Sequence, residues 1–373
     1  MNYFRKFEKP AGDFFLLLHK LFIHPQPVPG IDHKSVKNIL IVIRHQMGDF
    51  LCASPMVRSL RNFYPKAKLT LVTKSSTNYD QVFKYDKSFV DDVFYYEYGL
   101  ESYFSLIKDL QLINFDLAVV PSTVAFSATN HLMAYHSKAR VRVGVRSMNY
   151  DDNKTAYLLN IKNDFLWVSK KVHQIERNLD IIRQINIEPL EKRIRINLTD
   201  DSVLNAEKYF SFNFPDKNRP VIGFHPGAGK LSNIWPSENF AELAYKLSSL
   251  FNADIFISEG PSDKEYVDRM IYELRTKYNV NNYSRHRGAL MNNLALISKL
   301  RLFVTNDTGI MHLASGINKL NIVAVFGSTN AYEWGPIGEN CYSIQSPYGD
   351  LGKLKPEKVI EVCVSVLSKK MQN

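Results

Sequence analysis

Two short apolar runs, residues 38–43 and 220–224, constrain this chain most. The first reads Asn-Ile-Leu-Ile-Val-Ile and the second Pro-Val-Ile-Gly-Phe. A strand covered on both faces reads as a continuous apolar run, where a half-exposed strand alternates. Each run opens a series in which strands and helices take turns. After the first come a turn from Arg44 to Asp49 and a helix through Phe50, Leu51, Met56, Val57 and Leu60, ending near Pro65. Strands at 68–73, 92–96, 115–120 and 140–145 follow, with helices near 101–113 and 126–137. After the second come a turn at His225, a helix over 236–251 with Pro236 in its first turn, and a strand over 253–258. A turn from Glu259 to Asp263 then leads to helices at 264–278 and 290–300. Residues 301–305 and 321–326 are further apolar strands, and 356–369 is a terminal helix. Repeated βα units of this length predict doubly wound parallel sheets. Two such series in 373 residues predict two domains.

The divisions expected are an amphipathic segment and linker over 1–30, a first Rossmann-like domain over 31–190, and a crossover over 191–219. A second Rossmann-like domain follows over 220–350, with the terminal helix over 351–373. Residues 146–171 are polar and aperiodic and read as a mobile loop, and 193–198 reads as strand-like. Phe4, Phe7, Phe14, Phe15, Leu18 and Phe22 recur at helical spacing beside Arg5, Lys6, Lys9 and Lys20. That stripe suits either a helix lying on an anionic membrane or one packed against the protein's own body. Pro25, Pro27, Pro29 and Gly30 mark the linker.

The formal net charge of +10 favours anionic partners. The basic residues are dispersed, with no nucleic-acid-binding motif, so phosphorylated substrates or a membrane surface fit better than nucleic acid. Cys52, Cys341 and Cys363 are distant from one another, with no CxxC, which predicts neither a zinc site nor a disulfide framework.

Between the strands at 301–305 and 321–326 stands Asn306-Asp307-Thr308-Gly309-Ile310-Met311-His312. Asp307 or Thr308 can cap a helix starting at Gly309, whose free backbone N–H groups suit a phosphate. His312 shares the helix face of Thr308 and Gly309. The plain alternative is an ordinary capped helix with a satisfied histidine. Gly227-Ala228-Gly229-Lys230 lacks the first glycine and the hydroxyl residue of a P-loop, and no GxGxxG follows the first strand. What remains suits a phosphate-containing ligand without a metal cluster. From position alone, Asp49 reads either as a base in the cleft or as an acid favoured by the helix dipole.

Three segments in this order resemble glycosyltransferase family 9, the ADP-heptose:lipopolysaccharide heptosyltransferases. The first is residues 39–44 with Gly48, Asp49, Pro55, Arg58, Leu60 and Arg61. The second is Gly223, Phe224, His225, Pro226, Gly227 and Ala228 with Trp235 and Pro236, then residues 240–243. The third is residues 306–309 with His312, Leu313 and Ala314, then residues 326–329 and 334–336.

The resemblance implies the GT-B architecture, two Rossmann-like doubly wound domains facing a central cleft. It implies an inverting, metal-independent transfer, with no cofactor, from a nucleotide sugar, ADP-heptose being favoured. The acceptor would be a lipid-linked saccharide such as lipopolysaccharide core, at the cytoplasmic face of a membrane. Asp49 would be the base. Asp307, Thr308, Gly309 and His312 would bind the donor, with His225, Pro226, Gly227 and Ala228 beside its phosphates and Glu259 near the nucleoside. Many members carry a lysine two residues before the Trp-Pro pair; this chain has Asn233 there, and Lys230 is the nearby replacement. Transfer from another nucleotide sugar, nucleotide-sugar epimerisation on the same architecture, and nucleotide binding without catalysis remain open readings.

Overall fold

A computed structural model describes residues 19–23, 30–84, 86, 88–168 and 170–369. Most of the amphipathic segment expected over 1–24, and the linker prolines, lie outside the described residues. Among the described residues no helix is long and apolar enough to cross a membrane. The described residues form two compact units, one drawn from the ranges 1–46, 55–77 and 87–192 and the other from 47–54, 78–86 and 193–373.

The first unit is built on β1 (Asn38–Val42), β2 (Lys68–Thr73), β3 (Asp92–Tyr95), β4 (Leu117–Val119), β5 (Val141–Met148), β6 (Asp151–Asp152) and β7 (Ile161–Phe165). The sheet order is β3-β2-β1-β4-β5-β6, with β7 also pairing β5. Only the β5–β6 pairing is antiparallel among those described. The apolar run did predict the central strand: Ile39, Leu40, Ile41 and Val42 are each 0% exposed. A core of Leu40, Val42, Leu106, Leu110, Phe115 and Ala118 covers one face.

The helix Met47–Phe63 contains Pro55, which has no N–H for the carbonyl of Leu51. The hydroxyl of Ser54 donates to that carbonyl instead, at 2.7 Å. The helix therefore continues through a residue that would otherwise break it, and the division between the two units falls at this proline.

The second unit is built on β8 (Val221–His225), β9 (Asp254–Glu259), β10 (Tyr283–Arg287), β11 (Leu302–Asn306), β12 (Ile322–Phe326) and β13 (Cys341–Gln345). Its order, β10-β9-β8-β11-β12-β13, repeats the Rossmann order 3-2-1-4-5-6, and every pairing described is parallel. Ile222, Phe224, Ile255, Ile257, Val304 and Val325 form its core with Trp235, Phe240 and Leu247. Two Rossmann-like parallel sheets, the GT-B kind of fold, are thus present as the sequence predicts.

Three local expectations fail. Residues 146–171 are not one irregular loop: they hold the end of β5, then β6 and β7. β7, Ile-Lys-Asn-Asp-Phe, is half-exposed, so no apolar period marks it, and ladder bonds to β5 hold it. Asp164 of β7 accepts from Ser147 at 2.6 Å and also pairs with Arg146. Residues 193–198 form no strand. Ile194 and Ile196 are buried two apart, which imitates a strand, but the segment's backbone tie is Ile196 N to Gly316 O at 3.2 Å. β10, Tyr-Ser-Arg-His-Arg, is an edge strand too polar to have been recognised.

One buried group makes the first unit acid-sensitive. His131 is 0% exposed, with Nε2 3.2 Å from Ser122 Oγ and Nδ1 2.8 Å from Thr155 Oγ1. Two hydroxyls satisfy a neutral ring without a counter-ion, and burial pushes its pKa down to about 4. The unfolded chain, near 6.5, binds that proton more readily. Stability is therefore complete above pH 6.5 and falls as pH drops toward 4, by about 3 kcal/mol from this group. Urea midpoints should drop between pH 7 and pH 4.5 in the wild type and drop less in His131→Gln. Equal drops in the two proteins would remove His131 as the cause.

Candidate active site

In a 3-2-1-4-5-6 sheet, the loops leaving strands 1 and 4 diverge and open a crevice at their carboxyl ends. In the second unit those strands are β8 and β11, which pair with His225 opposite Thr305. The segments from His225 to Ala228 and from Asp307 to Gly309 therefore leave the sheet side by side.

Asn306, fully buried, ties this edge together. Its Nδ2 donates to the carbonyls of Pro226 at 2.9 Å and Gly227 at 3.2 Å. Its Oδ1 accepts from Trp235 N at 3.1 Å. Trp235 is in turn buried against Phe240, with Nε1 donating to Leu354 O at 2.9 Å. Ala228 is half-buried in the same loop, beyond these bonds.

Asn233 holds Asp307. Its Nδ2 lies 2.9 Å from the carboxylate Oδ2 of Asp307 and 3.3 Å from its carbonyl. Burial pushes the Asp307 carboxyl up from the usual range, opposed by a bond from Thr329, the charge of Lys230 and the bond from Asn233. Lys230 is exposed, so its ammonium reaches this edge by charge while remaining open to a ligand. Neither expected side-chain cap forms. Asp307 is committed to Asn233, and Thr308 occupies the N-cap position in extended geometry with no capping bond from its side chain. The helix Gly309–Ser315 thus starts without a side-chain acceptor for its first N–H groups.

His225 serves the loop's architecture. Its Nδ1 lies 3.2 Å from both the carbonyl and the hydroxyl oxygen of Ser258, and its Nε2 faces Asp263 Oδ2 at 3.4 Å. Asn293 Nδ2 donates to Ser258 Oγ at 2.8 Å. Burial pushes the His225 pKa down, against the charge of Asp263 and the bond to Ser258. Asp263 also accepts from Gly260 N at 2.7 Å. A Cβ on Gly227 would lie 2.0 Å from Asp263 Cγ, so only glycine lets the two loops approach.

Glu259 belongs to a neighbouring network. Its side chain is 1% exposed and pairs with Arg285 through Nε, with Arg287 Nη1 at 3.8 Å. Glu259 Oε1 has no hydrogen-bond partner, so this buried carboxylate retains acceptor capacity.

Asp49 joins the second unit because residues 47–54 pack there. A Cβ on Gly48 would lie 3.3 Å from His312 Cδ2, and one on Gly309 would lie 2.2 Å from Met47 Cε. Cys52 Sγ is 3.9 Å from His312 Nδ1. Burial, then the charges of Asp49 and Asp307, push the Cys52 thiol pKa up, so both carboxylates act on one spot. His312 is 3% exposed and stands edge-on to Trp334, with centroids 6.4 Å apart. Asp49 lies in the first turn of its helix and is partly exposed.

The structure therefore gathers Asp49, Lys230, Asn233, Asp307 and His312, with His225, Pro226 and Gly227 in the adjoining loop. Sequence reasoning missed Asp263, Thr329 and Arg285. Asp263 stood in a recognised turn, but only the fold brings it to Gly227. Arg285 lies on the unrecognised β10.

A family model described as glycosyltransferase family 9 (heptosyltransferase) matches residues 103–362. Lipooligosaccharide heptosyltransferase 2 of Campylobacter jejuni subsp. jejuni serotype O:2 is 24% identical, over 88% of this chain and 98% of that protein. The crystal structure of a family 9 glycosyl transferase from Veillonella parvula is similar with a TM-score of 0.74 at 18% identity, covering 89% of this chain and 97% of that one. The E. coli ADP-heptose lps heptosyltransferase II is similar with a TM-score of 0.71 at 21% identity, covering 90% and 99%.

Proposed function

The chain belongs to glycosyltransferase family 9, and on that premise we propose that it transfers a heptose from ADP-heptose to a lipid-linked saccharide, with inversion and without a metal. The observation that carries this reading is the packing of Met47 and Gly48 against the helix of Gly309 and His312, which brings the charges of Asp49 and of the Asn233-held Asp307 to bear on the same Cys52. It sets a carboxylate next to an uncapped helix start, the pairing that an acid–base transfer from a diphosphate donor needs. Two relatives support the donor and acceptor class, one named for ADP-heptose and one for lipooligosaccharide. Lipopolysaccharide core is the acceptor proposed, reached at the cytoplasmic face of an anionic membrane.

In this reading Asp49 takes the proton of an acceptor hydroxyl as its oxygen bonds to the anomeric carbon. The carbon–oxygen bond to the diphosphate breaks on the opposite face, and its electron pair leaves with ADP. Backbone N–H groups from Thr308 and Gly309, with His312, receive the developing charge on the diphosphate. The loop from His225 to Ala228 flanks the phosphates, and the turn at Glu259 and Gly260 meets the nucleoside. Lys230 supplies the positive charge that Asn233 does not.

The direct test is acceptor-dependent ADP release from ADP-heptose in the presence of a chelator. Release only with acceptor supports transfer. Isomerised donor without acceptor would make the protein an epimerase. Asn233 at the lysine position gives one specific reason to run the same assay with other nucleotide sugars.

The assignment of Lys230 has its own consequence. Lys230→Gln should weaken ADP binding about tenfold and flatten its salt dependence, since an exposed cation acts through a screened charge. Calorimetry at low and high salt checks this. Unchanged affinity would leave the phosphates to backbone groups alone.

A further inference from the structure

The second unit holds a cavity that no residue of the candidate active site lines. It opens to solvent between the first turns of the helices Ser237–Phe251 and Lys264–Thr276, with a volume of about 1050 Å³. Small-molecule sites run up to that size, roughly 300–1,000 Å³. Ile234, Pro236 and Pro261 give the cavity apolar wall, and Tyr266 and Tyr272 give it rings. Arg269 stands 5.8 Å from the centre of the Tyr272 ring, and Tyr272 is still 57% exposed, so a face of it is open to a ligand.

The polar groups on the wall include both donors and acceptors. Neither helix start has a side-chain cap, so first-turn N–H groups of both helices are left without a helical partner. Ser237 is 5% exposed and lines the cavity, and its hydroxyl makes no hydrogen bond among the described residues. A hydroxyl can both donate and accept. The carboxylates of Glu238, Glu265 and Asp268 add acceptors.

Ion pairs hold most of these side chains in place. Arg269 Nε donates to Glu238 Oε1 at 2.9 Å, a bond that joins the two helices at the cavity, and Arg269 Nη2 lies 3.4 Å from Glu273. Lys264 Nζ lies 2.5 Å from Asp268, which also accepts from Arg285 Nη1 at 2.7 Å. Both cations of the lining are thus engaged, and they face three carboxylates, so an anionic ligand is disfavoured. An ammonium would use the acceptors and leave the donors idle. A saccharide uses both, because each hydroxyl donates and accepts, and its C–H face suits an open tyrosine ring. Side chains already fixed by ion pairs need little further ordering when it binds.

We propose that this cavity is a second ligand site, separate from the donor site, and that it binds an uncharged oligosaccharide. Tyr272 stacks on a sugar ring, while Glu238, Asp268 and Ser237 bond its hydroxyls. The inference goes beyond the transferase reading and does not depend on it.

The experiment is saturation-transfer NMR on the full chain with maltotriose, cellotriose, mannotriose and triacetylchitotriose as separate probes, each with and without saturating ADP. The expected result is a saturable signal from at least one trisaccharide that ADP leaves unchanged. For that probe, Tyr272→Ala should weaken binding about tenfold with an unchanged thermal midpoint, since the side chain is largely exposed. Arg269→Gln, which releases Glu238, should also weaken it, and glucose 1-phosphate should not compete. Silence from all four sugars overturns the proposal. So does binding that ADP or glucose 1-phosphate displaces, or that Tyr272→Ala leaves at full strength. If ADP itself fails to bind, the transferase reading falls and the cavity is judged on the four sugars alone.

Discussion

Asp49→Asn is expected to reduce transfer by about 10³-fold while ADP affinity stays within a few-fold of wild type. The substitution keeps shape and hydrogen-bonding reach and removes only the ability to take a proton. Asp49 stands in the first turn of the helix Met47–Phe63 and is partly exposed. An ionised carboxylate is the state a base requires. If Asp49 were only a helix-terminal acid, the asparagine would cost less than about 1 kcal/mol of stability and leave turnover alone. The two readings are separated by measuring turnover and thermal midpoint on the same preparation. Wild-type turnover in the variant removes Asp49 from the chemistry. A large loss with an unchanged midpoint and unchanged ADP binding places it there.

The second large effect is expected at Asn306. Asn306→Asp keeps the oxygen that accepts from Trp235 N but sets a second oxygen against the carbonyls of Pro226 and Gly227. Asn306 is fully buried, so neither water nor a cation relieves that repulsion cheaply. Two carbonyls lose their donor and a carboxylate is buried, which together should destabilise the second unit by about 3 kcal/mol or more. The loop from His225 to Ala228 loses its tie to β11, so ADP affinity should fall at least about tenfold even where the protein is still folded. Urea denaturation and calorimetry together check this. A variant with wild-type stability and affinity would mean that the edge of β8 and β11 is held by other contacts.

The fold was legible because its central strands are buried on both faces. Residues 39–42, 302–305 and 322–326 could not be alternating, and they are not. β7 and β10 were illegible for the opposite reason. They are edge strands with polar exposed faces, held by ladder bonds to a neighbour rather than by their own apolar period. Residues 193–198 misled because two isoleucines, at 194 and 196, mimic that period while reaching a core without a partner strand.

The site divides in the same way. Asp307, Thr308, Gly309 and His312 lie on one strand–helix unit, so local spacing finds them. Asn233 and Asp307 are 74 residues apart and meet only through the fold. Asp263 is 36 residues from Gly227 by number, yet it occupies the space a Cβ on that glycine would take. No pattern along the chain marks such a pair. Asn306 lies inside the same stretch, but a buried amide that joins three backbone groups has no sequence signature.

The most direct test of the account is a calorimetric titration of the protein with ADP, UDP, GDP and CDP, each in the presence of a chelator. The account predicts that ADP binds selectively without metal, and that Lys230→Gln and Asn306→Asp weaken it. Selective binding of a different nucleotide would contradict the ADP-heptose assignment. No binding of any of the four would contradict the donor site itself.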